Sequence, residues 1–361
     1  MKIKYLGRLI IFSGIVSASA AYAQSNVTLY GSLDEGITYN TNAKGSGTAT
    51  AGPVAVPDFF GIRGTEDLGN QFKAIFALQD GFLSSTGAGT IAGEAFSHFA
   101  WVGLSSPYGA VTLGRQLDLT ADTLRLNADG CVQYTFYLFH PANLDDIGIM
   151  GDSVNNSVKY TSPTIGGLTF TGLYGLADSS TQPGRVVSAD VVYAGGPFRA
   201  SAVYTNWHDH AINLGPELGY TSFLGESLSS GQTFLAQTQQ ITGLSAFYSL
   251  NQRLDLHGVV TQVNLSTRSD AGRMRTVELG ADIHTTFANT VTLGGYLSWL
   301  TDTRYSELGV GDVYALSKST VVYAQIAYQH ADGAGDAAIA LLTPASGPSQ
   351  AAFRIGVHHF F

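Results

Sequence analysis

Sixteen segments of alternating apolar and polar side chains follow one another along this chain of 361 residues, and the connections between them also alternate, tight then open. The segments are 26–40, 56–66, 70–83, 94–105, 108–116, 155–163, 167–177, 184–195, 197–207, 234–250, 252–265, 273–288, 290–303, 305–317, 319–331 and 350–361. A period of two is the signature of a β-strand with two different faces. Every second connection is a tight turn: Gly69-Asn70, Ser106-Pro107, Gly166-Gly167, Gly195-Gly196, Asn251, Asn289 and Lys318. The others include the long stretches 41–55, 117–154, 208–233 and 332–349. A sandwich has no reason to sort its loops by length in this way. A transmembrane barrel does, with short turns on the periplasmic side and long loops outside. The even strand number puts both chain ends on the periplasmic side. The fold class expected is therefore all-β, a 16-stranded antiparallel transmembrane β-barrel.

The two faces fit that reading. In 290–303, Val291, Leu293, Leu297 and Trp299 share one face, and Thr292, Gly294, Tyr296 and Ser298 the other. In 273–288, Val277, Leu279, Ala281 and Ile283 alternate with Glu278, Gly280, Asp282 and His284. Periodicity alone does not say which face looks inward. The strand count does, because a barrel of sixteen strands is too wide for side chains to fill and encloses water. Composition agrees: charged residues are 12%, against the ~25% usual for soluble domains, while glycine contributes 43 residues. Beyond the N-terminus no apolar run reaches the ~18 residues a spanning helix needs.

The N-terminus reads as a secretory signal peptide over 1–23, leaving a barrel domain over 24–361. Lys2, Lys4 and Arg8 precede the apolar stretch Leu9 to Val16, and Ala21-Tyr22-Ala23 is an A-x-A cleavage site. Without the three basic residues of the leader, 15 basic face 27 acidic residues, a net charge of −12. No basic stripe exists to neutralise phosphates, so nucleic acid is not an expected partner. The single cysteine, Cys131, cannot form an intrachain disulfide.

Several blocks resemble the general porins of Neisseria and Burkholderia-type bacteria, a Gram-negative, betaproteobacterial family. They are Val27-Thr28-Leu29-Tyr30-Gly31, the run Gly61-Ile62-Arg63-Gly64-Thr65-Glu66-Asp67-Leu68-Gly69, and Ala100-Trp101-Val102-Gly103-Leu104. Val111-Thr112-Leu113-Gly114-Arg115-Gln116, the segment Asn155 to Pro163 and the aromatic end Phe360-Phe361 complete the set. The resemblance implies a passive channel for ions and small hydrophilic solutes, built as a homotrimer in which a third loop folds into each lumen. It also implies contact with outer-membrane lipid and lipopolysaccharide, and Phe361 as the signal to the outer-membrane assembly machinery. No cofactor is implied.

The third loop, 117–154, is the longest connection, at 38 residues. A loop of that length is either functional or disordered. Leu117, Leu119, Leu124, Leu126, Phe136, Tyr137, Leu138, Phe139 and Ile147 make it too apolar for a solvated tail. It carries Asp118, Asp122, Asp129, Asp145, Asp146 and Asp152. The resemblance sets such loop acids against basic wall residues, giving a transverse field at the narrowest point. The wall candidates are Arg63, Arg115, Lys159 and His98. Arg63 shares its face with Gly61 and Thr65, and Lys159 with Ser157 and Thr161. Arg115 alternates with the lipid-facing set and needs a bulge to reach the pore. His98 stands where relatives carry arginine, and Ser153 where another basic residue is expected, so the wall is less positive. A lumen-facing His98 would change charge between pH 5 and 8.

Other signals are weaker. Gly87-x-Gly89-x-x-Ala92 lies between strands with no following helix, so it is not a dinucleotide site. His208-x-His210 lacks a carboxylate or thiolate at metal-ligand spacing. No Gly-x-Ser-x-Gly occurs, and no Ser/His/Asp grouping that the strand order would assemble, which argues against an enzyme. A substrate-specific channel would show saturable solute binding, and a structural or adhesin barrel would be plugged.

Overall fold

A computed structural model describes residues 26–54, 57–125, 139–148, 152–178, 184–229 and 232–361. The stretch 1–23 read as a leader, Asp129 and Cys131 lie outside them. The chain forms a closed barrel of sixteen antiparallel strands. They are β1 Asn26–Ala43, β2 Asp58–Gly69, β3 Phe72–Leu83, β4 Phe99–Ser106, β5 Gly109–Leu117 and β6 Ser153–Thr161. β7 Leu168–Gly175, β8 Val186–Gly195, β9 Phe198–Ile212, β10 Phe234–Asn251 and β11 Leu254–Ser266 follow. β12 Ala271–His284, β13 Asn289–Leu300, β14 Thr303–Ala315, β15 Thr320–Asp332 and β16 Ser349–Phe360 complete the wall.

Closure is made by β1. Its lower half pairs with β2, from Asn26↔Thr65 to Ser32↔Phe59, and its other edge pairs with β16, from Ser32↔Phe360 to Asn40↔Ala352. The main chain of Phe361 continues the seam, exchanging hydrogen bonds of 3.0 and 3.1 Å with Gly31. Glycine is required there, because a Cβ on Gly31 would stand 2.7 Å from the Phe59 carbonyl oxygen and in the place taken by the Phe361 ring. No unpaired edge is left on the cylinder, which removes the usual hazard of a sheet.

The strands match the sequence reading within a few residues, and two ends differ for local reasons. β4 begins at Phe99 rather than 94, because the Ser97 backbone N–H donates to the Asp80 carboxylate instead of a ladder carbonyl. β9 runs on to Ile212, accommodated by a left-handed residue at Asp209 (φ 50°). On the outer side, 267–270 and 301–302 are short.

The faces divide as the alternation requires. Leu279, Leu293, Leu297 and Trp299 are exposed on the outside, while Glu278, Thr292, Tyr296 and Ser298 point inward and are buried. Their burial is the unexpected part, since the inward face should be wet. Long outer loops fold back into the lumen and cover them. Leu119, Leu124, Leu144 and Ile147 of the third loop, and Leu214 and Leu218 of the fifth, join one apolar cluster with wall residues. The wall contributes inward apolar groups to meet them, among them Val203, Trp207, Ile241, Val263, Met274 and Leu300. Full burial of one such side chain is worth roughly 1.5–3 kcal/mol, enough to offset ordering of the loop backbone that carries it. The lumen-facing wall from β6 to β15 thus contributes to a packed core beneath the infolded loops.

Candidate pore constriction

The third loop leaves β5 and at once forms α1, Leu119–Leu124. Asp118 starts this helix: its carboxylate accepts from the Thr120 backbone N–H at 3.2 Å, the usual N-cap arrangement. The helix lies against β8 to β10. Thr123 donates to Asp190 at 2.7 Å, and Thr120 and Thr205 share a hydroxyl contact of 2.9 Å. Leu124 fits over Gly243, where a Cβ would come within 2.5 Å of its methyl group. With that side fastened, Asp122 faces water with its side chain 39% exposed, 3.7 Å from Lys159 on β6.

The loop re-enters at Phe139 and is fastened a second time. His140 Nδ1 lies 2.6 Å from Asp145, and its Nε2 lies 2.9 Å from Glu278 on β12. All three side chains are fully buried. A neutral imidazole has one N–H to donate, so two carboxylates on its two nitrogens favour the doubly protonated ring. Those carboxylates hold His140 at about 10, against the burial that pulls it down. Thr261 on β11 donates to Asp145, Gln239 on β10 donates to the Leu144 carbonyl at 2.7 Å, and Tyr296 meets the imidazole edge-on at 4.9 Å.

The residues expected in the constriction therefore separate. Lys159 and Asp122 come together. Arg63 is exposed toward the lumen, its guanidinium 5.1 Å from the centre of the Tyr30 ring, with no carboxylate within 4 Å among the described residues. Arg115 does sit at a register shift, between Gly114 and Gln116. Its guanidinium is half-covered and held by the Ser97 carbonyl, by Asn155 and by Glu94 at 3.2 Å.

Four expectations need correction. Asp118, Asp145 and Asp146 do not face water: all are buried, the first as a helix cap, the second on His140, the third accepting from the Asp152 backbone N–H at 2.7 Å. Burial raises Asp118, and burial with the nearby Asp152 and Asp118 raises Asp146 well above the usual carboxylate range. His98 is 7% exposed and bonded to Gln79 at 2.9 Å, so it is no free lumen group. Burial pushes it down to about 4, below the pH 5–8 range in which it was expected to switch.

Sequence reasoning missed Glu217 and His140. Glu217, in the short helix α2 Leu214–Leu218, lines a cavity of about 640 Å³ with Asp152, Lys44, Phe139 and Thr343. Burial and then the neighbouring Asp152 raise it to about 7. Nothing local distinguishes it from any loop acid. His140 was equally unmarked, although its partner Glu278 was legible as an inward charge.

Comparison with known proteins adds the following. A profile described as Gram-negative porin matches residues 11–334. Outer membrane porin protein 32 of Delftia acidovorans is 29% identical, covering 98% of this chain and 99% of that protein. Major outer membrane protein P.IB of Neisseria gonorrhoeae is 30% identical over about half of each chain, 51% and 53%. Among solved structures, an anion-selective porin from Comamonas acidovorans superposes with a TM-score of 0.76 at 23% identity, covering 94% of this chain and all of that one. A trimer form of OmpT from Vibrio cholerae gives 0.69 at 13% identity, covering 93% and 99%.

Proposed function

The chain belongs to the Gram-negative porin family and is a passive diffusion channel of the outer membrane, and from that premise we propose how its pore is built and what it passes. Membership places it among channels rather than enzymes. The narrowest part is bounded by α1 on one side and by the wall carrying Lys159 and Arg63 on the other. The single observation that carries this reading is the Asp122–Lys159 pair, a loop acid 3.7 Å from a wall cation with both side chains in contact with water.

Such a pair sets up a transverse field through which small hydrophilic ions and solutes pass by diffusion, with no covalent step. The charges are largely matched: Lys159 by Asp122, Arg115 by Glu94. Arg63 remains as an exposed charge, and the exposed Asp152 lies 3.5 Å from His210 Nε2. The relative from Comamonas is described as anion-selective; with this balance, selectivity here is weak. Assembly is as a homotrimer, in keeping with the trimer form of OmpT, with lipopolysaccharide on the outer leaflet and insertion by the assembly machinery through Phe361.

Planar bilayers test this directly. Reversal potentials in a salt gradient should stay near zero, and removal of 119–148 should raise conductance. Unchanged conductance after the deletion would place the constriction elsewhere.

A further inference from the structure

The outer surface of the barrel is apolar over most of its height, yet Arg273 and Arg275 are exposed on the outward face of β12. Both lie in the half of the strand nearest the outer connections. Each donates through Nε to a neutral amide on β11, Arg273 to Asn264 at 2.9 Å and Arg275 to Gln262 at 3.0 Å. Among the described residues neither has a carboxylate within 4 Å, whereas Arg115, Arg304 and Arg354 are all paired with acids. The amides orient the two guanidinium groups and leave their charge uncompensated. Trp299 stands beside Arg275 in register on β13, and Arg304 beside Trp299 on β14.

Directly below the arginines, the wall is grooved. A furrow of about 700 Å³ is lined by Arg275, Gln262, Trp299, Leu244, Val260 and Val277. It continues toward the periplasmic side through a second hollow of about 430 Å³ that shares Leu244, Val260 and Val277 and includes Gly258. Gly258 faces outward between Ala246 on β10 and Leu279 on β12, and the Leu279 side chain leans over it, 2.9 Å from where a Cβ would stand. Aromatic and cationic groups above an apolar furrow match a lipid, charged head above and chain below.

We propose that the outer half of β10 to β13 seats one phosphate-bearing, acylated lipid of the outer leaflet, its phosphate on Arg273 and Arg275 and an acyl chain in the furrow. The proposal rests on the outer-membrane placement of the channel, which orients these strands. Two unpaired, fork-shaped guanidinium groups are suited to a phosphate, since each can donate twice to its oxygens. Charge in this position otherwise disfavours the folded barrel, and less so close to the interface.

The test uses the full folded channel in vesicles of phosphatidylethanolamine containing phosphorylated lipid A, extracted into mild detergent, with retained lipid counted per chain by native mass spectrometry. The parent should retain lipid A in preference to its dephosphorylated form and to phosphatidylglycerol. Arg273→Gln with Arg275→Gln should lower retention by about fivefold per arginine, roughly 25-fold together. Gly258→Leu, which adds bulk beside Leu279 in the second hollow and leaves the charges, should also lower it. Unaltered single-channel conductance shows that each variant is folded. Equal retention of phosphorylated and dephosphorylated lipid A overturns the proposal, as does unchanged retention in the arginine variant. A changed oligomeric state with lipid retention intact also overturns it and assigns the face to contact between copies. Failure of the parent to conduct would instead strike the channel reading.

Discussion

The two ends of the constriction loop carry similar side chains and use them differently. The first, from Asp118 to Arg125, is pinned along one side by leucines and hydroxyls and presents Asp122 to water. The second, from Phe139 to Gly148, buries its acids and ties one of them, Asp145, to the wall through a histidine. A carboxylate in water is free to act on passing solutes, the role proposed for Asp122, and the same group under a packed loop is a fastening. The difference lies in what covers each residue.

Several substitutions would break or sharpen this contrast. The largest effect belongs to His140→Leu, which leaves Asp145 and Glu278 buried without their cation. Removing one partner of a buried ion pair costs about 3–5 kcal/mol, to be read from urea unfolding in detergent, and conductance should become larger and noisier. Because His140 is raised from about 6.5 to about 10, its contribution is fully present below pH ~6.5 and is lost as pH climbs through about 10. A parent whose conductance is unchanged between pH 7 and 11 would argue against this fastening.

Leu124→Ala empties the contact over Gly243 and should cost about 2–4 kcal/mol, in the range for buried leucines. α1 would then detach, giving a higher conductance than the parent but an intact His140 fastening. Asp118→Ala removes the helix cap and should cost about 1 kcal/mol by the same unfolding assay.

At the water-facing end, stability and selectivity should part. The Asp122–Lys159 pair is part-exposed, so Asp122→Asn or Lys159→Gln should change stability by less than about 1 kcal/mol. The two should move the reversal potential in opposite directions, toward anions for the first and toward cations for the second. Equal shifts of the same sign would mean the pair does not set the field.

The smallest effect concerns pH at the outer mouth. Glu217 titrates near 7, so lowering the pH from 8 to 6 removes a negative charge and should shift selectivity slightly toward anions. Glu217→Gln should abolish that shift, while His98→Gln should leave it unaltered, because His98 stays neutral throughout. The reverse pattern in reversal potentials would restore His98 as the sensor.

Much of this molecule is legible in its sequence. The strand count, the lipid-facing set such as Leu279 and Leu297, and the inward place of Glu278 follow from a period of two, a property of each strand by itself. The need for a bulge at Arg115 was legible for the same reason, since strict alternation put it on the wrong face. Which inward charges meet water was not. Asp122 and Asp145 sit in one loop with the same chemistry, and only the packing of that loop separates them. His140 and Glu278 are 138 positions apart, and no local pattern brings them together. Local periodicity decides the direction of a side chain; burial, and with it the charge a group carries, depends on which distant segment comes to lie over it.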